Sequence, residues 1–263
     1  MGRLISILSD FGSKDTFVGE MKAVIFSICP DVHLVDITHE VERFNIQMGA
    51  FLLACATPYF PTGTVHLAIV DPGVGGERRP IAVETPRSVY VGPDNGLLIP
   101  AARREGILHV YHLTNRSLML SKVSSTFHGR DIFAPVAAHL ACGTPPRDTG
   151  EVLTDYVQLS FGEPEIDARG ATCKVIHIDH FGNVITNISQ KDAHGLDANR
   201  KLLVTLRHKR FQARFVNAYS DIGPKEFGLI VASHGFLEIA RRENDANKKL
   251  VANIGDTIRI NAT

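Results

Sequence analysis

Tryptophan is absent from this chain of 263 residues, and there are only five tyrosines. A flat ring held by stacking must therefore rest on a tyrosine or on one of the 14 phenylalanines. No sign of charge dominates, because 28 basic residues balance 28 acidic ones. That balance excludes a broad electrostatic surface for nucleic acid or an anionic membrane. No apolar run approaches the ~20 residues that cross a bilayer. The opening run at 4–8 reads as a strand and lacks the length of a signal peptide. Cysteine is scarce as well: Cys29, Cys55, Cys142 and Cys173 lie far apart and form no CxxC pair. Each stands among apolar neighbours, which predicts buried free thiols and a cytoplasmic, reducing setting.

Hydrophobic content of 44% and charged content of 21% are those of globular material, enough for one large or two ordinary domains. Apolar runs at 4–8, 32–37 and 64–70 read as strands. Helical spacing at 17–29 and 46–56 falls between them, each stopped by proline. Strand, helix, strand, helix, strand argues a mostly parallel sheet with flanking helices. Further strands are expected at 80–84, 88–91 and 107–113, and a helix at 132–141. Residues 143–170 are rich in Pro, Gly and acids and read as a connection, with a little structure at 157–159. Short β runs then recur at 172–178, 184–188, 202–206, 211–216, 227–231 and 257–260, interrupted by a short helix at 237–242. That spacing predicts a small all-β barrel. The expected domains are 1–160, α/β, and 161–263, β-barrel.

The stretch around which the chain is organised is Ile69-Val70-Asp71-Pro72-Gly73-Val74-Gly75-Gly76-Glu77-Arg78-Arg79. A strand ends in an acid, glycines permit tight folding, and an arginine follows seven residues on. In open α/β sheets ligands sit beyond the carboxyl ends of strands. Asp10, His39, Asp71, His128 and Asp131 all fall at predicted strand ends or helix starts. Thr126 and His128 precede a helix whose first N–H groups are expected to suit an anion. On the residues alone, two chemistries stay open. One is a divalent-metal hydrolase with Asp and His ligands, although no HxH, HExxH or DxH element is present. The other is acid–base chemistry by Asp71, Arg78 and His128. In the second half, Asp179-His180-Phe181-Gly182-Asn183 joins an acid, a stacking ring and an amide able to bond a base edge.

Five stretches occur in one order: Ser9-Asp10-Phe11-Gly12, Asp71-Pro72-Gly73-Val74-Gly75 with Arg78, Gly92-Pro93-Asp94-Asn95-Gly96, Thr126-Phe127-His128-Gly129-Arg130-Asp131, and Asp179-His180-Phe181-Gly182-Asn183. With them the chain resembles the S-adenosyl-L-methionine (SAM) hydroxide adenosyltransferases, or SAM hydrolases, relatives of the fluorinating and chlorinating enzymes. The resemblance runs from Leu4 to about Ile260. It implies hydrolysis of SAM to adenosine and L-methionine, with no cofactor; the absence of metal-ligand spacing and the presence of Arg78 where a cation would otherwise sit predict that no metal is needed. It also implies a homotrimer whose sites join the N-terminal domain of one subunit to the C-terminal domain of the next. The catalytic trio it implies is Asp71, Arg78 and His128. Asp10 would hold the ribose, Asp179 the methionine amino group and Asn183 the adenine. Ser233 would lie near the methionine carboxylate, where His234 replaces the family's usual aromatic or arginine. Glu238 and Ala246 complete the implied contacts, the latter in the turn Asn244-Asp245-Ala246-Asn247. The halogenating relatives carry a tyrosine where Asp71 stands and a serine where Gly129 stands, so water is the expected nucleophile. His128, with an ordinary pKa of about 6.5, is a better proton sink than Asp71 beside Arg78, and the sequence leaves both open as the group that takes the proton from water. A protein that binds SAM or adenosine without turnover is the reading from another class.

Overall fold

The computed structural model describes residues 3–167, 169–193 and 201–262. The chain falls into two compact units, Met1–Ser160 and Phe161–Thr263. In the first, β1 (Leu4–Ser9), α1 (Phe17–Ile28), β2 (His33–Thr38), α2 (Ile46–Ala56), β3 (Val65–Ile69), β4 (Pro80–Glu84), β5 (Val89–Pro93), α3 (Ile99–Glu105), β6 (His109–Leu113), α4 (Ala134–Ala141) and β7 (Gly150–Val152) follow in order. The sheet order is β2-β1-β3-β5-β4-β6-β7. Pairing is parallel from β2 through β5 and antiparallel from β5 to β7.

Alternation along β1 sets the two layers. Ile5 and Ile7 join a core with Met21 and Ile25 of α1 and Val136 and Ala137 of α4. Leu8 points the other way, against α2, where a Cβ at Gly49 would come 2.8 Å from Leu97 and 3.0 Å from Val70. That glycine lets the helix approach the sheet closely. Asn45 caps α2, its side chain accepting from the Met48 N–H at 2.9 Å. Pro100 and Pro135 fall in the first turns of α3 and α4, where a missing N–H costs nothing.

The second unit holds β8 (Glu165–Asp167), β9 (Gly170–Ile178), β10 (Val184–Ser189), β11 (Lys201–Leu206), β12 (Lys209–Phe215), β13 (Phe227–Val231), β14 (Phe236–Ala240) and β15 (Thr257–Ala262). Seven strands close a barrel in the order β10-β14-β13-β12-β11-β15-β9 and back to β10, with β8 added on β9. Leu202, Val204 and Leu206 alternate into its core with Val175, Leu229, Leu237 and Ile239.

Three expectations need correction. The run at 237–242 is no helix, for β14 occupies Phe236–Ala240. Leu, Glu, Ala and Arg favour helices locally, but pairing with β10 on one side and β13 on the other overrides that preference. Within 143–170, β7 extends the first sheet and β8 the second, whereas 157–159 belongs to no regular element. Cys29 and Cys142 are disulfide-bonded, with Cα atoms 5.9 Å apart. They cap the ends of α1 and α4, which pack together, and their separation of 113 positions left no sequence signal. This pair removes the cysteine-based ground for a reducing compartment. Cys55 and Cys173 are free, and burial pushes each thiol up to about 12. Among the described residues no helix is long and apolar enough to cross a membrane.

Candidate active site

Parallel pairing sets Ser9 of β1 opposite Ile69 of β3, so Asp10 and Asp71 leave the same edge of the sheet. The chain then crosses from β3 to β4 through residues 70–79, over the end of β5, which lies between those strands. Gly75 takes φ +75°, and a Cβ there would lie 2.1 Å from the Ser125 carbonyl oxygen. The glycine thus lets this crossover rest against the 124–128 segment, which carries His128.

The two segments meet at one guanidinium. Arg78 Nε donates to Asp71 Oδ1 at 2.9 Å and Oδ2 at 3.0 Å, and Nη2 also reaches Oδ2. Nη2 donates to His128 Nδ1 at 2.8 Å. The Asp71 and Arg78 side chains are 6% and 10% exposed, a nearly desolvated pair. The guanidinium also lies over the Phe133 ring, 5.1 Å from its centroid. Since arginine only donates, His128 Nδ1 must be the accepting nitrogen. Burial, then the Arg78 charge, holds the imidazole below its ordinary 6.5. A ring with Nδ1 bonded by Arg78 and basicity lowered by burial is a weaker proton acceptor than a free imidazole.

His128 immediately precedes a wide π-type turn over Gly129–Phe133 that leads into α4. The Arg130 and Asp131 N–H groups both bond the Phe127 carbonyl, so these two are not offered to an anion as expected. Asp131 is held by its neighbours, accepting from the Ser124 N–H at 2.8 Å and Arg130 Nε at 2.7 Å. His39 is engaged with Ser9 Oγ at 2.7 Å and Asp36 at 3.1 Å. Among the described residues no group of three or more His, Cys, Asp and Glu is placed to hold a metal ion. Asp10 Oδ2 accepts from the Phe44 N–H at 2.9 Å, which fixes a residue with φ +65° and an exposed ring.

A cavity of about 630 Å³ opens in the second unit. Its lining includes Asp179, Asn183, Ser233 and Glu238, together with Tyr219, Arg241 and Phe181. Asp179 Oδ1 accepts from the Phe181 and Asn183 N–H groups, and Oδ2 from Asn183 Nδ2 at 2.9 Å, so acid and amide are fixed by one turn. Because β14 is a strand, Glu238 faces opposite to Leu237 and Ile239 and comes to the cavity. There it accepts from Tyr219 Oη at 2.7 Å, and burial and that carboxylate push the phenol pKa up. His234 Nδ1 accepts from the Phe236 N–H, and Nε2 lies 3.2 Å from Glu238. Ala246 is fully buried in the barrel core and does not line the cavity. Tyr219 and Arg241 were not singled out from the sequence. Neither belongs to a recognisable motif, and only the barrel's closure brings them here.

The lowered pKa of His128 carries a testable sign. The unfolded chain takes up this proton near 6.5, before the folded one does, so stability falls as pH drops below 6.5 toward the folded value. Protonation also removes the lone pair that Arg78 holds. Activity and melting temperature are both expected to decline across that acid window. His128→Gln should flatten the acid limb of activity, and a limb unchanged in that variant would refute the assignment; the melting temperature keeps the part of its decline contributed by His66, His139 and His177, which burial also holds low.

A family model described as the SAM hydroxide adenosyltransferase N-terminal domain matches residues 5–150, and one described as the C-terminal domain of the same family matches residues 173–259. An (R)-S-adenosyl-L-methionine hydrolase of Salinispora tropica is 40% identical over 261 residues, 98% of this chain and 97% of that protein. A fluorinase of Nocardia brasiliensis is 30% identical over 271 residues, covering 90% of each. The crystal structure of an uncharacterized conserved protein from Thermotoga maritima superposes with a TM-score of 0.93 at 40% identity, covering 97% of this chain and 99% of that one.

Proposed function

The chain belongs to the SAM hydroxide adenosyltransferase family, and from that membership we infer that it is an enzyme hydrolysing S-adenosyl-L-methionine to adenosine and L-methionine. The observation that carries the mechanism is the single guanidinium joining Asp71 to His128. Water attacks the ribose 5′ carbon; the new C–O bond forms as the C–S bond breaks, sulfur leaves as the neutral thioether of methionine, and the proton of the attacking water passes by way of Asp71 Oδ1 to solvent. Charge is spread in this step, so a dry, aligned site favours it over water, with roughly 7–11 kcal/mol available from orientation alone. Asp71 Oδ1 takes one bond from Arg78 where Oδ2 takes two, which leaves Oδ1 the oxygen with capacity for the attacking water. Arg78 aims the carboxylate, and His128 holds Arg78. Asp10 serves the ribose hydroxyls, Asp179 the amino group, Asn183 the adenine edge and Ser233 the carboxylate, with Glu238 fixing Tyr219 in the wall. Ala246 has no place in this proposal.

The hydrolase relatives are named for the (R) sulfonium epimer, and we extend that preference to this chain. No metal or cofactor takes part. Gly129 offers no hydroxyl to a halide, and a Cβ there would lie 3.1 Å from Phe127 and 3.2 Å from Met21. After exhaustive dialysis against EDTA, turnover of (R)-SAM in oxygen-18 water with high chloride should give adenosine labelled at the 5′-hydroxyl and unlabelled methionine. Free adenine, a chlorinated nucleoside or recovery only on adding metal would point to different chemistry, and unchanged SAM to a binding protein.

The working enzyme is proposed to be a homotrimer in which the first unit of one copy meets the second unit of the next. Exposed rings support this, Phe44 at 68% beside Asp10 in the first unit and Phe181 at 74% beside Asn183 in the second. Mixing Asp71→Ala with Asn183→Ala protomers should restore part of the activity after subunit exchange. No rescue in verified mixed trimers would count against shared sites.

A further inference from the structure

The turn Gly92-Pro93-Asp94-Asn95-Gly96 has no task in the chemistry above, yet its side chains reach both ends of the crossover that carries Asp71 and Arg78. β5 ends in this turn, between the strand the crossover leaves and the strand it enters. On one side, Asn95 Nδ2 donates to the Val70 carbonyl at 2.8 Å, one residue before Asp71. On the other, Asp94 Oδ2 accepts from Arg79 Nε at 3.0 Å and Nη2 at 2.7 Å, one residue after Arg78. The Asp94 N–H also donates to the Arg79 carbonyl at 2.9 Å. The acid is itself rigid: its side chain is 2% exposed, and its other oxygen accepts from the Val157 N–H at 2.8 Å. Asn95 Oδ1 accepts from the Leu97 N–H at 3.1 Å, which orients its amide toward Val70.

We propose that Asp94 and Asn95 are positioning residues for the hydrolysis, clamping residues 70 and 79 so that Asp71 and Arg78 close on each other in register. The glycine-bearing crossover has no regular structure of its own, so without the clamp its ends are free to shift. A displacement of about 1 Å in such a constellation can cost roughly 10²-fold in rate. The inference rests on the SAM-hydrolase reading.

The test measures wild type, Asn95→Ala, Asn95→Gln, Asp94→Ala and Asp94→Glu in one assay, alongside thermal unfolding. Thr85→Ala, which removes a buried hydroxyl bonded to Ser88 and Glu105 away from the crossover, serves as a stability control. Both alanine variants should lose kcat by roughly 10–10²-fold while KM and adenosine affinity stay near wild type, since the clamp acts on the water-handling pair. Thr85→Ala should lose melting temperature and keep kcat. The longer side chains should restore part of kcat. The acid limb should rise in pH in Asp94→Ala, because a displaced Arg78 no longer depresses His128, which Asp71 and Asp131 also face. Wild-type kcat in both alanine variants, or a kcat loss equalled by Thr85→Ala at the same melting temperature, overturns the proposal. Absence of SAM hydrolysis in the wild type would instead overturn the functional reading.

Discussion

Arg78→Ala is expected to remove nearly all turnover while leaving adenosine binding in place. The side chain makes every bond that holds Asp71 to His128, and it does so in an almost dry setting. Deleting it strands a carboxylate that is 6% exposed and leaves His128 Nδ1 without its donor. Breaking a buried pair from one side typically costs about 3–5 kcal/mol. Loss of positioned acid–base groups lowers rates on the order of 10²–10⁴-fold. Part of the first penalty will appear as a lower melting temperature, the rest as the rate. Arg78→Lys separates charge from geometry. Lysine keeps the positive charge but not the fork that reaches both Asp71 oxygens and His128 together. It should therefore recover stability more than kcat. Single-turnover measurement of adenosine release and calorimetry with adenosine check both statements. Wild-type turnover in the alanine variant would dismiss the mechanism, and full rescue by lysine would reduce Arg78 to a point charge.

Much of this arrangement was legible before any coordinates. Asp71 and Arg78 stand in one stretch whose strand ending and glycines announce a ligand-facing edge. The helix start after His128 announces a second. Periodicity also exposed the opening βαβαβ, because Ile5 and Ile7 alternate on the strand while Met21 and Ile25 recur a turn apart on the helix. What failed was decided by tertiary partners. The sequence at 237–242 favours a helix, and only the neighbours β10 and β13 make it a strand that delivers Glu238 to the cavity. Tyr219 and Arg241 reach that cavity through barrel closure, which no local pattern encodes. The turn around Ala246 resembled a relative's, and that pattern did not reveal that its side chain packs inside the barrel. The Cys29–Cys142 pair depends on where two helices end in space. Residue type alone could not say which ring nitrogen of His128 accepts, because the bond from Arg78 decides that.

Gly75→Ala should be the most damaging of the single-methyl changes in the crossover. A non-glycine residue at φ +75° carries a penalty of roughly 1–2 kcal/mol before any contact is considered. Contact is the larger matter here, since the new carbon would lie 2.1 Å from the Ser125 carbonyl oxygen, a backbone atom that cannot rotate away. Either the 71–78 stretch or the 124–128 segment must move, and the first carries Asp71 and Arg78 while the second carries His128. The Arg78–His128 bond lengthens in both cases. Gly73 and Gly76 lack this combination: neither has positive φ, and their nearest obstructions, Arg78 Cγ and the Gly73 carbonyl, both lie at 3.2 Å. Gly63→Ala provides the control for strain alone, because φ is +88° there and nothing lies within 4 Å. Gly63→Ala should lower the melting temperature by roughly 2–4 °C per kcal/mol of strain and leave kcat intact. Gly75→Ala should lower it further and cut kcat by roughly 10²-fold. Equal kcat in the two variants would mean that contact between the two segments does not set the catalytic geometry.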